Sequence, residues 1–248
     1  MSDFLLRYPF PEAEVTAFST LRCGGVSTGV YESLNVSPTS GDQPENILEN
    51  RRRLAVALGL TTDRFVIPHQ NHGTEVRFVS EPVELEGVDA LVTQQPGLCI
   101  CVSTADCIPI LLHDPAHHAV TAVHSGWRGT VKRIVQIVIR AMQERLGTKP
   151  ADVQAAIGPG IGLEAFEVGD EVYEAFCQAG FAMEQIARRM EKWHIDLWQA
   201  NRMLLKEAGV ERIHMAGICT YYQHDRFFSA RRLGRKCGRI MNGIILRK

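Results

Sequence analysis

Ile108-Pro109-Ile110-Leu111-Leu112, Asp114-Pro115-Ala116, Ala119-Val120-Thr121-Ala122-Val123 and His124-Ser125-Gly126-Trp127-Arg128-Gly129-Thr130 form the stretch on which the fold turns. Two short, apolar, β-branched runs flank a turn tripeptide, which predicts a hairpin. The second run ends in a turn bracketed by glycines. Beyond it Val131, Ile134, Val135, Ile137, Val138, Met142 and Leu146 recur at helical spacing until Gly147. A hairpin that feeds a helix directly is not a regular βαβ array. The pattern predicts an α/β (α+β) fold with mixed sheets, and favours neither a TIM barrel nor a Rossmann unit.

Working outward, Phe65-Val66-Ile67 leads through Pro68 to Gln70-Asn71-His72-Gly73-Thr74 and then to a strand over 75–79. Ala90-Leu91-Val92 and Leu98 to Val102 read as further strands. The opening segment is extended and turn-rich, with a glycine-rich loop over 22–29 and an irregular stretch from Asn35 to Gly41. Asp42 and Glu45 resemble a capping box that opens a helix from Pro44 to Leu58, with Gly59 as its C-cap. Downstream, Val153 to Ile157 predicts a strand, helices follow near 170–178, 184–190 and 196–208, and strands close the chain near 212–216 and 240–246. There are no repeats and no Pro/Ser-rich linker, so a single domain over residues 1–248 is expected.

Composition excludes several classes. Of the 248 residues, 45% are hydrophobic and 22% charged, ordinary values for a globular protein with a sizeable core. A net charge of −1 gives no reason to expect nucleic acid or an anionic membrane as partner. No apolar run approaches the ~20 residues that span a bilayer. Met1 to Pro9 lacks the features of a signal peptide, and seven cysteines cannot all pair internally. The expectation is free thiols in a reducing cytoplasm. Nothing here sets an oligomeric state.

His72, Cys107 and His124 each stand where an apolar run meets a small or polar turn. Two imidazoles and a thiolate make an incomplete zinc shell, and three-ligand shells are those of catalytic sites with an open position. The same atoms also suit Cys107 as a nucleophile with His124 as base, oriented by Asp106, Asp89 or Asp196. At Ser125 to Thr130 the start of a helix beside Arg128 suggests an anion pocket, or simply a turn with Thr130 as N-cap. Cys99 and Cys101 share a strand face as core thiols. His113, His117 and His118 flank the hairpin turn and are expected to face solvent. Arg231, Arg232, Arg235, Lys236 and Arg239 form a basic stretch, either solvated or an anion clamp.

At these residues the chain resembles the laccase-domain family, bacterial proteins once called multicopper polyphenol oxidases and also named peptidoglycan editing factors. The resemblance runs nearly end to end. It is carried by Arg22-x-Gly24-Gly25-Val26-Ser27, Asn35, Gln70-x-His72-Gly73, Asp89 to Thr93, Ala105-Asp106-Cys107, His124-x-Gly126-Trp127-Arg128-Gly129, Ile157-Gly158-Pro159-x-Ile161-Gly162 and Ser229-x-Arg231. It implies a layered α/β/β/α fold and zinc on His72, Cys107 and His124. It also implies phosphorolysis of adenosine, inosine and methylthioadenosine, with adenosine deamination, so the partners are a small nucleoside and phosphate. Cys107, Asp106 as proton shuttle and Arg128 beside the phosphate then become catalytic, with Arg22, Asn35, Gln70 and Arg231 on the substrate. The chain departs from known deaminases in lacking His-x-Glu with Pro-Cys-x-x-Cys. Copper on one Cys and two His would mimic a type-1 site. With nine histidines and no His-x-His pair, however, electrons have no cluster to reach. The rivals are a Cys–His hydrolase editing peptidoglycan precursors, and a zinc-stabilised binding protein whose shell is closed by His113 or another cysteine.

Overall fold

The computed structural model describes residues 4–247; Met1 to Asp3 and Lys248, the ends of the expected domain, lie outside the described residues. A six-stranded sheet runs in the order Arg212–Met215, Gln154–Ile157, Ile108–Asp114, Ala119–Ser125, Ala90–Thr93, Val76–Phe78. A five-stranded sheet runs Leu5–Arg7, Val15–Thr20, Ile240–Leu246, Cys99–Thr104, Phe65–Val66. Both are mixed: in the first the hairpin pairs antiparallel while Arg212–Met215 and Val76–Phe78 add parallel edges, and in the second Phe65–Val66 adds a parallel edge to antiparallel neighbours. A small third sheet joins Glu167–Val168, Trp193–Ile195 and Ala187–Arg189.

Strand alternation explains the layering. Ile108, Ile110 and Leu112 face the helices Ile134–Leu146 and Leu197–Glu207, packing on Val135, Val138, Ile139 and Leu204. Leu111, between them, faces the other way with Val120 and Ala122, against Val15, Ile100, Val102 and Ile244 of the second sheet. On that sheet's outer face Phe18, Cys99, Cys101 and Met241 meet Leu54 and Leu58 of the helix Pro44–Leu58. Helix, sheet, sheet, helix is the expected α/β/β/α arrangement.

Several local expectations need correction. The helix expected after Gly129 is two helices, Trp127–Val131 and Ile134–Leu146, broken where Arg133 takes a left-handed backbone (φ 60°). Gly126 precedes the first of these and Thr130 lies inside it, bonding back to the Gly126 carbonyl at 3.0 Å, so Thr130 is not its N-cap. Asp42 does not cap Pro44–Leu58; its Oδ2 accepts from Ser27 (2.6 Å) and Asn35 (2.9 Å). The helix near 184–190 stops at Ile186 and continues as the strand Ala187–Arg189. His113 is buried under Phe10 rather than solvent-facing, because it shares the inward face of its strand with Leu111.

Candidate metal centre

Four chain segments meet at one end of the six-stranded sheet, and pairing directions explain why. Ile108 pairs with Ser125, so Cys107, just before its strand, comes beside His124, near the end of the antiparallel partner. Ala90 pairs with Val123, which sets Asp89 opposite His124. Val76–Phe78 runs parallel to Ala90–Thr93, so the loop entering it, which carries His72, arrives at the same end.

The ligand atoms of His72, Cys107 and His124 all lie within 4.8 Å of one another. The two imidazoles meet edge to face, their ring centres 4.8 Å apart. His72 (φ 62°) and Asp106, the neighbour of Cys107 (φ 87°), both adopt left-handed backbone, which non-glycine residues rarely do. Burial alone raises the Cys107 thiol, but His124 and His72 outweigh it and bring it down to about 6. Burial pushes His124 the other way, yet Cys107 and Asp89 raise it to about 9. Each of the two thus draws the other toward its charged form.

Soft thiolate and borderline imidazole are the donors that zinc takes. The space between them is kept clear by the chain itself. A Cβ on Gly126 would stand 2.9 Å from Cys107 Sγ and 3.1 Å from His72 Cδ2, although φ is −71° and the backbone tolerates any residue. Among the described residues this is the single group of three or more such side chains, and neither His113 nor another cysteine joins it. His72, Cys107 and His124 thus fit a metal ion with one side open.

Asp89 is buried and accepts from His124 Nδ1 at 2.7 Å and from the backbone amides of His72 (3.1 Å) and Gly73 (2.8 Å). Burial would raise its carboxyl, but His124 and the amides of Gly73 and Asn71 hold it below the ordinary carboxylate value. Of the three carboxylates weighed as partners for His124, Asp89 makes the contact. Asp196 caps Leu197–Glu207 instead. Asp106 turns away from the centre: Oδ1 accepts from Thr220 (2.7 Å) and Oδ2 from the Arg231 amide (2.6 Å). With both oxygens so engaged, Asp106 fastens the Cys107 turn to the 220–231 segment.

The centre opens into a cleft of about 520 Å³ lined by Thr39, Gln70, Ser103, Arg128, Arg235 and Arg239, among others. Gln70 lines it while locked to Ser103, accepting from that amide at 2.7 Å and donating to its carbonyl at 2.9 Å. Arg128 stacks on Trp127, 4.2 Å from the ring centre. Arg239 is held by the carbonyls of Arg235 (3.0 Å) and Gly238 (3.1 Å). The other expected binding residues do not line the cleft. Arg22 donates to the carbonyls of Glu32 and His224. Asn35 is fully buried and bonds Ser40, Asp42 and the Arg239 amide. Arg231 reaches the carbonyls of Ala165 and Glu167. The basic stretch thus contributes Arg235 and Arg239 to the cleft, positions that sequence spacing could not tell from a solvated surface.

Comparison with known proteins follows the same lines. A purine nucleoside phosphorylase of Bacteroides thetaiotaomicron is 46% identical over 251 residues, 95% of this chain and 93% of that protein. A protein named adenosine deaminase RL5, from an unknown prokaryotic organism, is 42% identical over 245 residues, 93% of each. The crystal structure of YlmD from Geobacillus stearothermophilus superposes with a TM-score of 0.95 at 32% identity, covering 100% of this chain and 98% of that one. Residues 16–247 match the family described as multi-copper polyphenol oxidoreductase laccase, and the chain belongs to it.

Proposed function

We propose that this protein is a zinc-dependent purine nucleoside phosphorylase acting on adenosine, inosine and methylthioadenosine, with adenosine deamination in the same cleft. The observation that carries this reading is one cleft that joins a His-Cys-His donor set to the guanidinium groups of Arg128, Arg235 and Arg239, with no carboxylate in its lining. Such a cleft favours an oxyanion co-substrate over water alone. The names of similar proteins, phosphorylase and deaminase, agree with it.

His72, Cys107 and His124 would hold the zinc, which supplies Lewis-acid polarisation of an oxygen at its open side. Among the described residues the Arg128 and Arg235 side chains bond no other side chain, which leaves both to hold phosphate. Phosphate oxygen attacks the ribose anomeric carbon as the bond to the purine nitrogen breaks and its electrons leave with the base. The departing purine needs a proton; because both Asp106 oxygens are engaged by Thr220 and the Arg231 amide, phosphate or solvent supplies it. Chromatography of adenosine incubated with zinc-loaded protein, with and without phosphate, tests the reading. Adenine only with phosphate is expected, and inosine reports the deaminase. Intact adenosine under both conditions overturns the proposal.

One observation favours a second reading. Cys107, His124 and Asp89 stand in the order of a thiol hydrolase triad. That reading leaves His72, which also contacts the thiol, without a task, and it requires activity to survive chelation. Polyphenol oxidation is disfavoured, since a multicopper site needs more ligands than the one cluster among the described residues.

A further inference from the structure

Asp89 is fully buried, and each of its acceptor positions is used. Oδ1 takes the His124 imidazole (2.7 Å) and the His72 amide (3.1 Å). Oδ2 takes the amides of Gly73 (2.8 Å) and Asn71 (3.3 Å). Its main-chain carbonyl accepts the His124 amide at 2.8 Å. One residue therefore grips two of the three candidate ligands.

We infer that Asp89 is the positioning residue that makes His72 and His124 a ligand pair, which rests on the reading that these side chains hold a metal. It acts in two ways. A carboxylate can only accept, so it keeps a proton on His124 Nδ1 and leaves Nε2 as the nitrogen with a free lone pair. The same carboxylate ties three consecutive amides of the Asn71-His72-Gly73 turn, holding His72 in its left-handed conformation. The turn is shaped for this grip: a Cβ on Gly73 would stand 3.4 Å from Asp89 Oδ2 and 2.6 Å from Asn71 Oδ1. A residue that only stabilised the loop would touch its amides and leave the imidazole alone.

Asp89→Asn separates these roles, because the amide has the carboxylate's shape but one acceptor. If its oxygen stays on the Gly73 and Asn71 amides, its NH₂ faces both the His72 amide and His124 Nδ1, which must then accept, and the imidazole proton moves to Nε2. If it flips, its NH₂ opposes the turn amides. Either way one ligand is lost to the metal. Zinc affinity, read by competition with a chromophoric chelator, is expected to fall about 10- to 100-fold while circular dichroism shows an intact fold. In the zinc-loaded wild type, nitrogen-15 NMR is expected to place the His124 proton on Nδ1. Equal zinc affinity in both proteins overturns the inference alone. A wild type that takes up no zinc overturns the metal reading and the inference with it. Should Asp89→Asn fail to fold, amide exchange in the chelated wild type decides. Protected amides at Asn71, His72 and Gly73 support the clamp, and free exchange at all three overturns it.

Discussion

Cys107 and Cys99 are eight positions apart in the chain and stand in opposite environments. Cys107 ends a turn at one end of the six-stranded sheet, between two imidazoles that hold its thiol down at about 6 after burial has pushed it up. Cys99 opens the strand Cys99–Thr104 and packs on the outer face of the five-stranded sheet, 3.5 Å from Cys101 Sγ. Burial first, and then its neighbouring thiol, push Cys99 well above its ordinary value. Burial acts in the same direction on both thiols. What differs is whether the fold also delivers positive partners: the end of the six-stranded sheet, where loops converge, does so, and a sheet face packed on a helix does not.

The largest effect should separate the cleft thiol from the thiols on the outer face of the five-stranded sheet. Cys107→Ser is expected to abolish bound zinc and phosphate-dependent cleavage together, measured by metal analysis and product chromatography. Cys101→Ala should keep both and cost about 1 kcal/mol in denaturant unfolding, like the loss of one buried methyl group. Retained zinc in Cys107→Ser would mean that the comparison is mistaken.

Next in size is Gly126→Ala. Its Cβ would stand 2.9 Å from Cys107 Sγ, so the thiolate must move. Zinc affinity should fall on the order of tenfold, with little change in melting temperature, since this φ suits alanine. Removing the cleft's charge has a different signature. Arg235→Ala should raise KM for phosphate roughly ten- to a hundredfold, the loss of a charge-assisted hydrogen bond, and leave KM for the nucleoside nearly unchanged. Equal increases in both would place Arg235 outside the phosphate site.

The smallest effect is on stability against pH in the metal-free protein. His124 is held above its ordinary 6.5, so its contribution is complete below that value and is lost as pH rises through about 9. Cys107 is held below its ordinary 9.0, so its contribution is complete above that value and is lost as pH falls through about 6. Between about pH 6 and 9 one gains what the other loses, and urea unfolding should be nearly flat there. Alkylation of Cys107 should hold its plateau rate from pH 9 down to about pH 7 and fall to half near pH 6, while Cys99 stays inert. A Cys107 rate that climbs toward pH 9 would show that the imidazoles do not reach the thiol.

Much of this was legible in the sequence because it depends on local order. Gly59 takes the left-handed C-cap, the hairpin turns at Asp114-Pro115-Ala116, and the strand Ile240–Leu246 falls where its β-branched run predicts. The three candidate ligands were visible for a related reason: each sits at a strand–turn junction. What stayed hidden depends on pairing between distant segments. Asp89 and Asp106 both precede short apolar runs and look alike in sequence. Register sets the first against His124 and turns the second toward Thr220 and Arg231. Arg231 and Arg235 likewise share one basic stretch. The helix Ala230–Leu233 and the turn after it send Arg231 to backbone carbonyls and Arg235 to the cleft.

The most direct test is to titrate the metal-free protein with cobalt(II) and follow its absorption in the ultraviolet and visible. One equivalent should bind with an intense thiolate-to-cobalt band that vanishes in Cys107→Ser and persists in Cys101→Ala. A wild type without that band, or one whose band survives Cys107→Ser, would contradict the assignment of Cys107 to the metal.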